Sequence, residues 1–297
     1  MNTPRTIAEY LDQLRAALRG ADPALIQDAL YDAEEHLRAE LAEQPGRSEH
    51  DMLEHVVSTY GAPEEVADIY RDQEIKIQRA LRPPPQPKRR TWVGRFFGVA
   101  ADPRMWGSMF YMVLALATGI FYFVWAVTGT SLSAGLSVLI IGIPFIILFL
   151  GTVRALSLIE GRIVEAMLGV RMPRRPPYPT QGLSLMKRIG ALFTDGHTWT
   201  TLFYMILMLP LGIIYFTITI TLLAVSVAFI GAPLGYWTDT LGVDVNFDDV
   251  RFAGPWSVVV LFVLGIVLLF ATMHLVRALG RMHGHIAKHL LVPRSSN

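Results

Sequence analysis

The first 80 residues combine apolar positions at helical spacing with residues that start and stop helices, which predicts four short amphipathic helices. Asp22 and Pro23 are typical of the N-cap and first turn of a helix. Ser48 with Asp51 predicts another helix start, and Gly61 predicts a helix end. The apolar faces are Leu11, Leu14 and Leu18; Ile26, Leu30, Leu37 and Leu41; Leu53, Val56, Val57 and Tyr60; and Val66, Ile69 and Tyr70.

The remainder of the chain is dominated by apolar runs without Asp, Glu, Lys, Arg or His, at residues 106–153, 198–238 and 255–273. The first run has 48 residues. At a rise of ~1.5 Å per residue this is about two crossings of a hydrocarbon core ~30 Å thick, with the hairpin tip expected at Gly129-Thr130-Ser131. Because a bilayer offers no partners to unpaired backbone groups, the runs should be helices. The predicted fold class is therefore all-α: a small helical domain followed by a polytopic membrane domain.

Composition agrees with this division. Hydrophobic residues make up 52% of the chain and charged residues 17%, which is too apolar for an ordinary soluble domain. Residues 1–80 contain 17 acidic against 8 basic side chains, whereas residues 81–297 contain 8 against 18. Basic residues beside apolar runs indicate membrane orientation rather than nucleic-acid binding. The chain has no cysteine, which excludes disulfides, thiolate metal sites and cysteine nucleophiles.

The membrane half contains an internal duplication, because several motifs recur in one order. At an offset of 93 residues, Asp102 to Trp106 matches Asp195 to Trp199, Phe110 to Leu114 matches Phe203 to Leu207, and Gly119, Tyr122 and Phe123 match Gly212, Tyr215 and Phe216. Ile141 to Pro144 matches Ile230 to Pro233 at an offset of 89, and Val153 to Leu156 matches Val276 to Leu279 at an offset of 123. The second copy therefore has 34 additional residues after Pro233.

Charge predicts the orientation of the spans. Arginines and lysines are concentrated between the copies and after the second copy, so both positions should be cytoplasmic, as should both termini. The inserted loop should lie outside and is a candidate sensing loop, with Asp239, Asp244, Asp248 and Asp249. Four spans follow. Because residues 199–237 are long for one crossing, residues 222–237 could instead form a re-entrant half-helix or a fifth span.

These patterns divide the chain into six segments. Residues 1–80 form the cytoplasmic domain, 81–98 a proline-rich basic linker, 99–170 the first membrane repeat, 171–194 a basic cytoplasmic connector, 195–291 the second repeat with an acidic loop at about 238–255, and 292–297 a tail. The tail and the residues before it resemble a thrombin-type tag and are excluded from functional reasoning. In the linker, Lys88, Arg89, Arg90 and Arg95 either bind anionic lipid headgroups or only determine orientation.

Residues 5–75 resemble the HAAS signalling domain. The resemblance rests on Tyr10-Leu11 and Leu14, on the acidic second helix through Asp32, Glu35 and His36, and on the run from Tyr60 to Ala67 with its Gly61-x-Pro63 turn. It implies protein interaction rather than catalysis, and an association with PadR-like regulators and membrane sensors. The candidate partner surface is Asp32, Glu35, Tyr60, Gly61, Pro63 and Glu64. The acidic face that includes Asp28 and Glu40 is either such a surface or a solvated helix face.

Residues 93–290 resemble the sensor module that precedes the kinase in many actinobacterial sensor histidine kinases. The resemblance rests on Leu209 to Phe216, the Ile-Gly-x-Pro motifs, Leu168 to Pro173, and Trp106 with Trp199. It implies location in a bacterial inner membrane. About twenty residues follow Val276, too few for a kinase, so no kinase activity is expected in this chain. Coupling would use a hinge at Gly142, Pro144, Gly231 and Pro233.

No catalytic motif is present, and neither enzymatic activity nor a cofactor is expected. His285 and His289 stand at helical spacing, but no carboxylate or cysteine accompanies them, so a metal site has little support. Two functions remain: a sensor or regulator that relays a membrane or extracytoplasmic signal to a cytoplasmic partner, and a transporter or ABC-transporter-associated membrane subunit, for which a lipid-like ligand is one option. The absence of charge inside the predicted spans favours the sensor. Expected partners are membrane lipids and a regulatory protein or transporter component, without nucleic acid; a homo-oligomer is compatible with the sequence.

Overall fold

The computed structural model describes residues 4–43, 46, 48–81, 91–139, 142–176, 195–240 and 255–293. These residues form nine α-helices and one 3-10 helix, and no strand occurs among them. The chain divides into two compact units. Unit 1 consists of Met1–Arg82, Ala126–Tyr204 and Gly284–Asn297, and unit 2 of Pro83–Trp125 and Met205–His283. The predicted all-α fold is confirmed.

The N-terminal part of unit 1 is a four-helix domain. Its helices are α1 (Ile7–Ala17), α2 (Pro23–Glu43), α3 (Glu49–Thr59) and α4 (Pro63–Leu81). Thr6 caps α1 and Ser48 caps α3, each accepting a bond from the amide three residues later. The predicted apolar faces meet in one core, at whose centre Tyr10, Leu14, Leu37 and Leu53 are inaccessible to solvent. Ile69 is the exception, because it is 53% exposed and lies outside this core. Burial of these faces is what holds four short helices together.

Gly61 makes the turn between α3 and α4. Its φ is +111°, in the left-handed region where a side chain is strained, as the sequence predicted. The carbonyl oxygen of Gly61 accepts a hydrogen bond of 2.9 Å from the hydroxyl of Tyr10. Glu65 closes the next helix start, because its carboxylate accepts the amide of Ala62 at 3.1 Å. The turn therefore ties α1 to the α3–α4 corner.

The remaining helices are α5 (Trp92–Phe97), a 3-10 turn (Gly98–Ala101), α6 (Pro103–Leu136), α7 (Gly142–Leu168), α8 (Gly196–Thr240) and α9 (Pro255–Leu291). The last four are each long and apolar enough to cross a membrane. Their exposed side chains are largely aliphatic and aromatic, as a lipid-facing surface requires. The protein is therefore a membrane protein.

One detail of the predicted spans was wrong, and one alternative that the sequence left open is excluded. Gly129-Thr130-Ser131 is not a hairpin tip, because α6 continues through it to Leu136. Residues 222–237 form neither a re-entrant half-helix nor a separate span, since α8 is one continuous helix of 45 residues with Pro210 and Pro233 inside it. Short polar residues and prolines interrupt helices in water, but a membrane helix keeps its backbone bonds because nothing else satisfies them.

Within unit 2, α6 and α8 cross with their backbones in contact. A Cβ atom on Gly119 would lie 2.5 Å from the carbonyl oxygen of Met208, and one on Gly212 would overlap the carbonyl of Ala115. Both pairs follow the repeat offset of 93, so the crossing is symmetric in sequence. Small residues of this kind let membrane helices approach most closely.

Candidate functional site

Arg171 lies at the centre of a buried ionic cluster in unit 1. It follows the end of α7 and is only 6% exposed. Its guanidinium bonds to Asp28 of α2 at 2.9 Å, to Glu74 of α4 at 3.2 Å and to Glu165 of α7 at 3.5 Å. All three carboxylates are themselves buried. One arginine thus joins two helices of the N-terminal domain to the end of a membrane helix.

Asp28 also binds the backbone of the segment that follows Arg171. Its Oδ1 accepts the amide N–H of Arg174 at 2.7 Å and that of Arg175 at 2.8 Å, while Oδ2 accepts from Arg171. Residues 171–175, Arg-Met-Pro-Arg-Arg, are called the arginine segment below. Because two successive amides bind one carboxylate, Asp28 fixes the path of the segment's backbone in addition to pairing with the charge of Arg171.

The exposed side of α2 holds the end of the arginine segment. Arg175 Nε lies 2.7 Å from Asp32, and its guanidinium lies 5.5 Å from the ring centre of Tyr31. Gln27 Nε2 donates a 2.6 Å hydrogen bond to the carbonyl of Arg175. Asp32 is held in place by the hydroxyl of Tyr70 at 3.1 Å. These contacts come from successive turns of one face of α2.

One further contact attaches the same domain to the end of α9, and others attach the arginine segment to α7. Lys288, near the end of α9, pairs with Asp22, whose other oxygen caps α2. Arg174 pairs with Glu165 at 3.1 Å, and the same carboxyl group accepts the amide of Met172. The N-terminal domain is therefore fixed to the ends of both α7 and α9.

The charged groups of this cluster stabilise one another's ionised forms. Burial raises the pKa of Asp28, although the amide of Arg174 and the guanidinium of Arg171 oppose that rise. Burial alone would lower the pKa of Arg171, but its bonds to Asp28 and Glu74 keep the pKa above its ordinary value. Removing one member of such a buried pair leaves an uncompensated charge, which typically costs about 3–5 kcal/mol. The contact is thus specific for this arrangement of charges.

A second set of polar contacts lies in the membrane repeats. In unit 1 the hydroxyl of Tyr204 donates to Glu160 at 3.0 Å; in unit 2 the hydroxyl of Tyr111 lies 2.7 Å from His283 Nε2. The tyrosines differ by the repeat offset of 93, and Glu160 and His283 differ by the offset of 123. The two pairs are therefore equivalent by duplication.

The same offsets relate two ion pairs. Arg154 bonds to Asp195 at 2.9 Å in unit 1, and Arg277 bonds to Asp102 at 2.9 Å in unit 2. In each pair an arginine from the second helix of one copy meets an aspartate that precedes the first helix of the other copy. Each copy therefore completes the polar contacts of the other.

Comparison with known families identifies both parts of the chain. A family model described as "Putative sensor" matches residues 111–291, more than half of the protein. The chain belongs to this Sensor family. A second model, HAAS, matches residues 9–69. No curated protein and no solved structure matched the chain. The two families, which are both non-catalytic, match the chain in the order that the sequence predicted.

The predicted partner surface of the HAAS region is only partly assembled. Asp32 lies in the site, and Tyr70 connects it to Tyr60, which stacks on His36 at 4.3 Å. Glu35 is exposed, Gly61 lies in the turn between α3 and α4, and Pro63 and Glu64 lie in the first turn of α4. Sequence reasoning took the arginines only as orientation signals and missed their pairing with Asp28, Glu74 and Glu165. The available signal was Asp28, an acid beside the apolar positions Ile26, Ala29 and Leu30 of α2 and one turn before Asp32.

The other predicted residues of the Sensor region are dispersed. Pro144 lies in the first turn of α7, where a proline needs no amide, and Gly142 is at the α6–α7 turn; Pro233 and Gly231 lie within α8. The hinge remains a prediction. Asp244, Asp248 and Asp249 lie outside the described residues, as does the side chain of Asp239. His285 and His289 are exposed on α9, and no cluster of three metal-ligand side chains occurs in the part of the chain that the structure describes.

The long helices extend beyond the charge-free runs of the sequence, and α7 and α9 carry buried ionisable groups in these extensions. Glu160 and His283 lie within α7 and α9, both buried, because each helix continues beyond its charge-free run. In sequence they resemble cytoplasmic flanking residues. Buried ionisable groups within membrane helices are commonly functional or structural pairs, and both have tyrosine contacts here.

Proposed function

We propose that this protein is a non-catalytic sensor of the bacterial inner membrane, which relays a membrane or extracytoplasmic signal to a cytoplasmic partner through its HAAS region. Both termini and the connector lie in the cytoplasm, and the four spans carry the input. The observation that carries the proposal is the buried bond between Arg171 and Asp28, because it links the end of a membrane helix directly to the candidate output domain.

Coupling of this kind needs two states that a stimulus favours differently. Arg171 stands three residues beyond the end of α7, and the arginine segment is bonded to α7 through Glu165 as well as to α2. A displacement at the end of α7 would therefore either carry the HAAS region with it or break the ionic cluster. A well-packed ionic cluster has few intermediate arrangements, which makes the response discrete.

The relay can be tested by transcript profiling of the native bacterium under membrane stress from a cationic peptide. Strains would carry the wild-type gene, a version without residues 1–81, Arg171→Gln, or the control Arg162→Gln. Arg162 is an exposed arginine on α7, and no bond from it to Asp28, Glu74 or Glu165 is found among the described residues. Deletion should abolish the protein-dependent response, and Arg171→Gln should make it independent of stress. An unchanged response after deletion would refute the relay and favour the transporter-subunit alternative.

A further inference from the structure

The HAAS region binds the arginine segment as it would a linear peptide. Residues 171–176 are outside any helix, and α2 contacts them through two amides, one carbonyl and two guanidinium groups. None of these contacts requires the segment to be part of a folded element. Any extended chain with two arginines three to four residues apart could offer the same groups.

The binding surface on α2 is compact and defined by four side chains. Gln27 and Asp28 bind the backbone of the segment, and Tyr31 and Asp32 bind the guanidinium of Arg175. Planar, bidentate donors such as arginine match carboxylates better than lysine does. The surface is therefore suited to arginine-rich segments in particular.

This surface also has unused capacity. Gln27 Oε1 is buried, and among the described residues it accepts no hydrogen bond. A cavity of about 360 Å³ lies beside the segment. It is lined by Asp28, Asp32, Tyr70 and Gln73 and also by Arg162 and the three arginines of the segment. The side chains of Arg174 and Arg175 are 41% and 49% exposed, against 6% for Arg171. The outer end of the segment is thus held much less completely than its start.

We infer that the α2 surface of Gln27, Asp28, Tyr31 and Asp32 is an interaction site for an extended arginine-rich segment of a cytoplasmic protein, and that residues 171–175 occupy it in cis. This inference rests on the proposed function, since it names the class of partner. Residues 1–80 carry a net charge of −9, which also favours a basic partner. A stimulus that moves the end of α7 withdraws the internal segment and frees the surface.

Fluorescence anisotropy of a labelled peptide tests this directly. The probe is residues 169–178 of this chain, and its control has the three arginines replaced by glutamine. The full-length protein would be placed in nanodiscs of neutral phosphatidylcholine, because arginine peptides bind anionic lipids. Peptide binding is measured without reference to the transcriptional response. A negative result here therefore leaves the proposed relay intact, and a negative result for the relay leaves this inference intact.

Variants on the two sides of the contact should act in opposite directions. Arg174→Gln with Arg175→Gln weakens the internal competitor and should tighten peptide binding at least about tenfold. The reason is that the apparent affinity for the peptide is proportional to the fraction of protein in which the internal segment has left the surface. Asp32→Asn, or Asp28→Asn, should abolish binding. Glu35→Gln, an exposed acid on the same helix, should leave it unchanged. Circular dichroism would verify that each variant is folded.

Three results would overturn the inference. One is equal binding of the glutamine control peptide, and another is unchanged affinity in the Arg174/Arg175 variant. The third is dimerisation of the wild-type protein that Asp32→Asn abolishes, because the occupant would then be a second copy of this chain.

Discussion

Glu160 in the first repeat and His283 in the second occupy the same position of the duplicated sequence, and each contacts the tyrosine that stands at the matching position of the other copy. The duplication has thus preserved the contact while changing one partner from a carboxyl group to an imidazole. The Tyr204–Glu160 and Tyr111–His283 contacts are consequently the most direct place to test whether the repeats still depend on each other.

Removal of the Tyr204 hydroxyl should destabilise the membrane region. Tyr204→Phe leaves the buried Glu160 without this donor, which should cost about 1–3 kcal/mol. Glu160→Gln retains an acceptor for the hydroxyl and should cost less than Glu160→Ala. Thermal unfolding of the full chain in detergent measures both. Equal losses for the Gln and Ala variants would show that the hydrogen bond contributes little.

Replacement of Arg171 should release the HAAS region from the membrane region without unfolding it. Arg171→Met leaves three buried carboxylates without their common partner and should weaken docking by about 3–5 kcal/mol. Limited proteolysis should then cut the arginine segment much faster, while the HAAS fragment remains resistant. Adding Asp28→Asn and Glu74→Gln should restore part of the protection. No restoration would mean that lost packing, and not lost charge, is responsible.

Residues 1–81 should fold alone, because their caps and apolar core are complete without the membrane region. A circular dichroism spectrum typical of helices, with a cooperative melt, is expected. Gly61→Val should lose on the order of 1 kcal/mol or more, since the φ of +111° is unfavourable for a branched side chain. Gly46→Val provides the comparison, because Gly46 also has a positive φ but no neighbouring atom lies within 4 Å of an added Cβ. Its loss of stability therefore reports the backbone strain without steric contacts. A disordered spectrum for the wild-type fragment would contradict the prediction.

The free energy of unfolding of the same fragment should decrease at alkaline pH. Burial raises the pKa of Tyr10, Tyr60 and Tyr70 above the ordinary value of about 10. Because these pKa values are higher in the folded state, their contribution to the free energy of unfolding is complete below pH ~10 and falls as the pH rises above it. The melting temperature should change little up to about pH 9.5 and fall between about pH 10 and pH 11.5, less steeply in Tyr70→Phe. Parallel curves for the two proteins would exclude Tyr70 as a source.

Orientation can be measured with single cysteines at positions 180, 245 and 296, since the chain has none of its own. With an impermeant maleimide on intact spheroplasts, only position 245 should react, because it lies in the acidic loop and the other two adjoin basic segments. Lysed cells provide the control, in which all three should react. Labelling of position 296 from outside would exclude four spans with both termini in the cytoplasm.

The sequence predicted what local chemistry determines. Ser48 caps a helix and Gly61 ends one because of their own side chains, and the repeat is visible because its residues recur. The partner of Asp28 could not be predicted, since Arg171 is 143 residues away and no local pattern connects them. The end of α6 was misplaced because Gly129 and its polar neighbours are turn residues in water but remain helical where the backbone has no alternative partners.

The contact of α6 with α8 at Gly119 and Gly212 restricts which movements the membrane helices can make. Sliding along either axis would drive a bulkier side chain into the opposing backbone, whereas a change of angle about the glycines keeps the contact intact. The crossing thus acts as a pivot between the two helices. Paired spin labels near the two ends of α6 and α8 should therefore report distance changes of the same sign on stimulation, with both pairs of ends moving apart or both moving together.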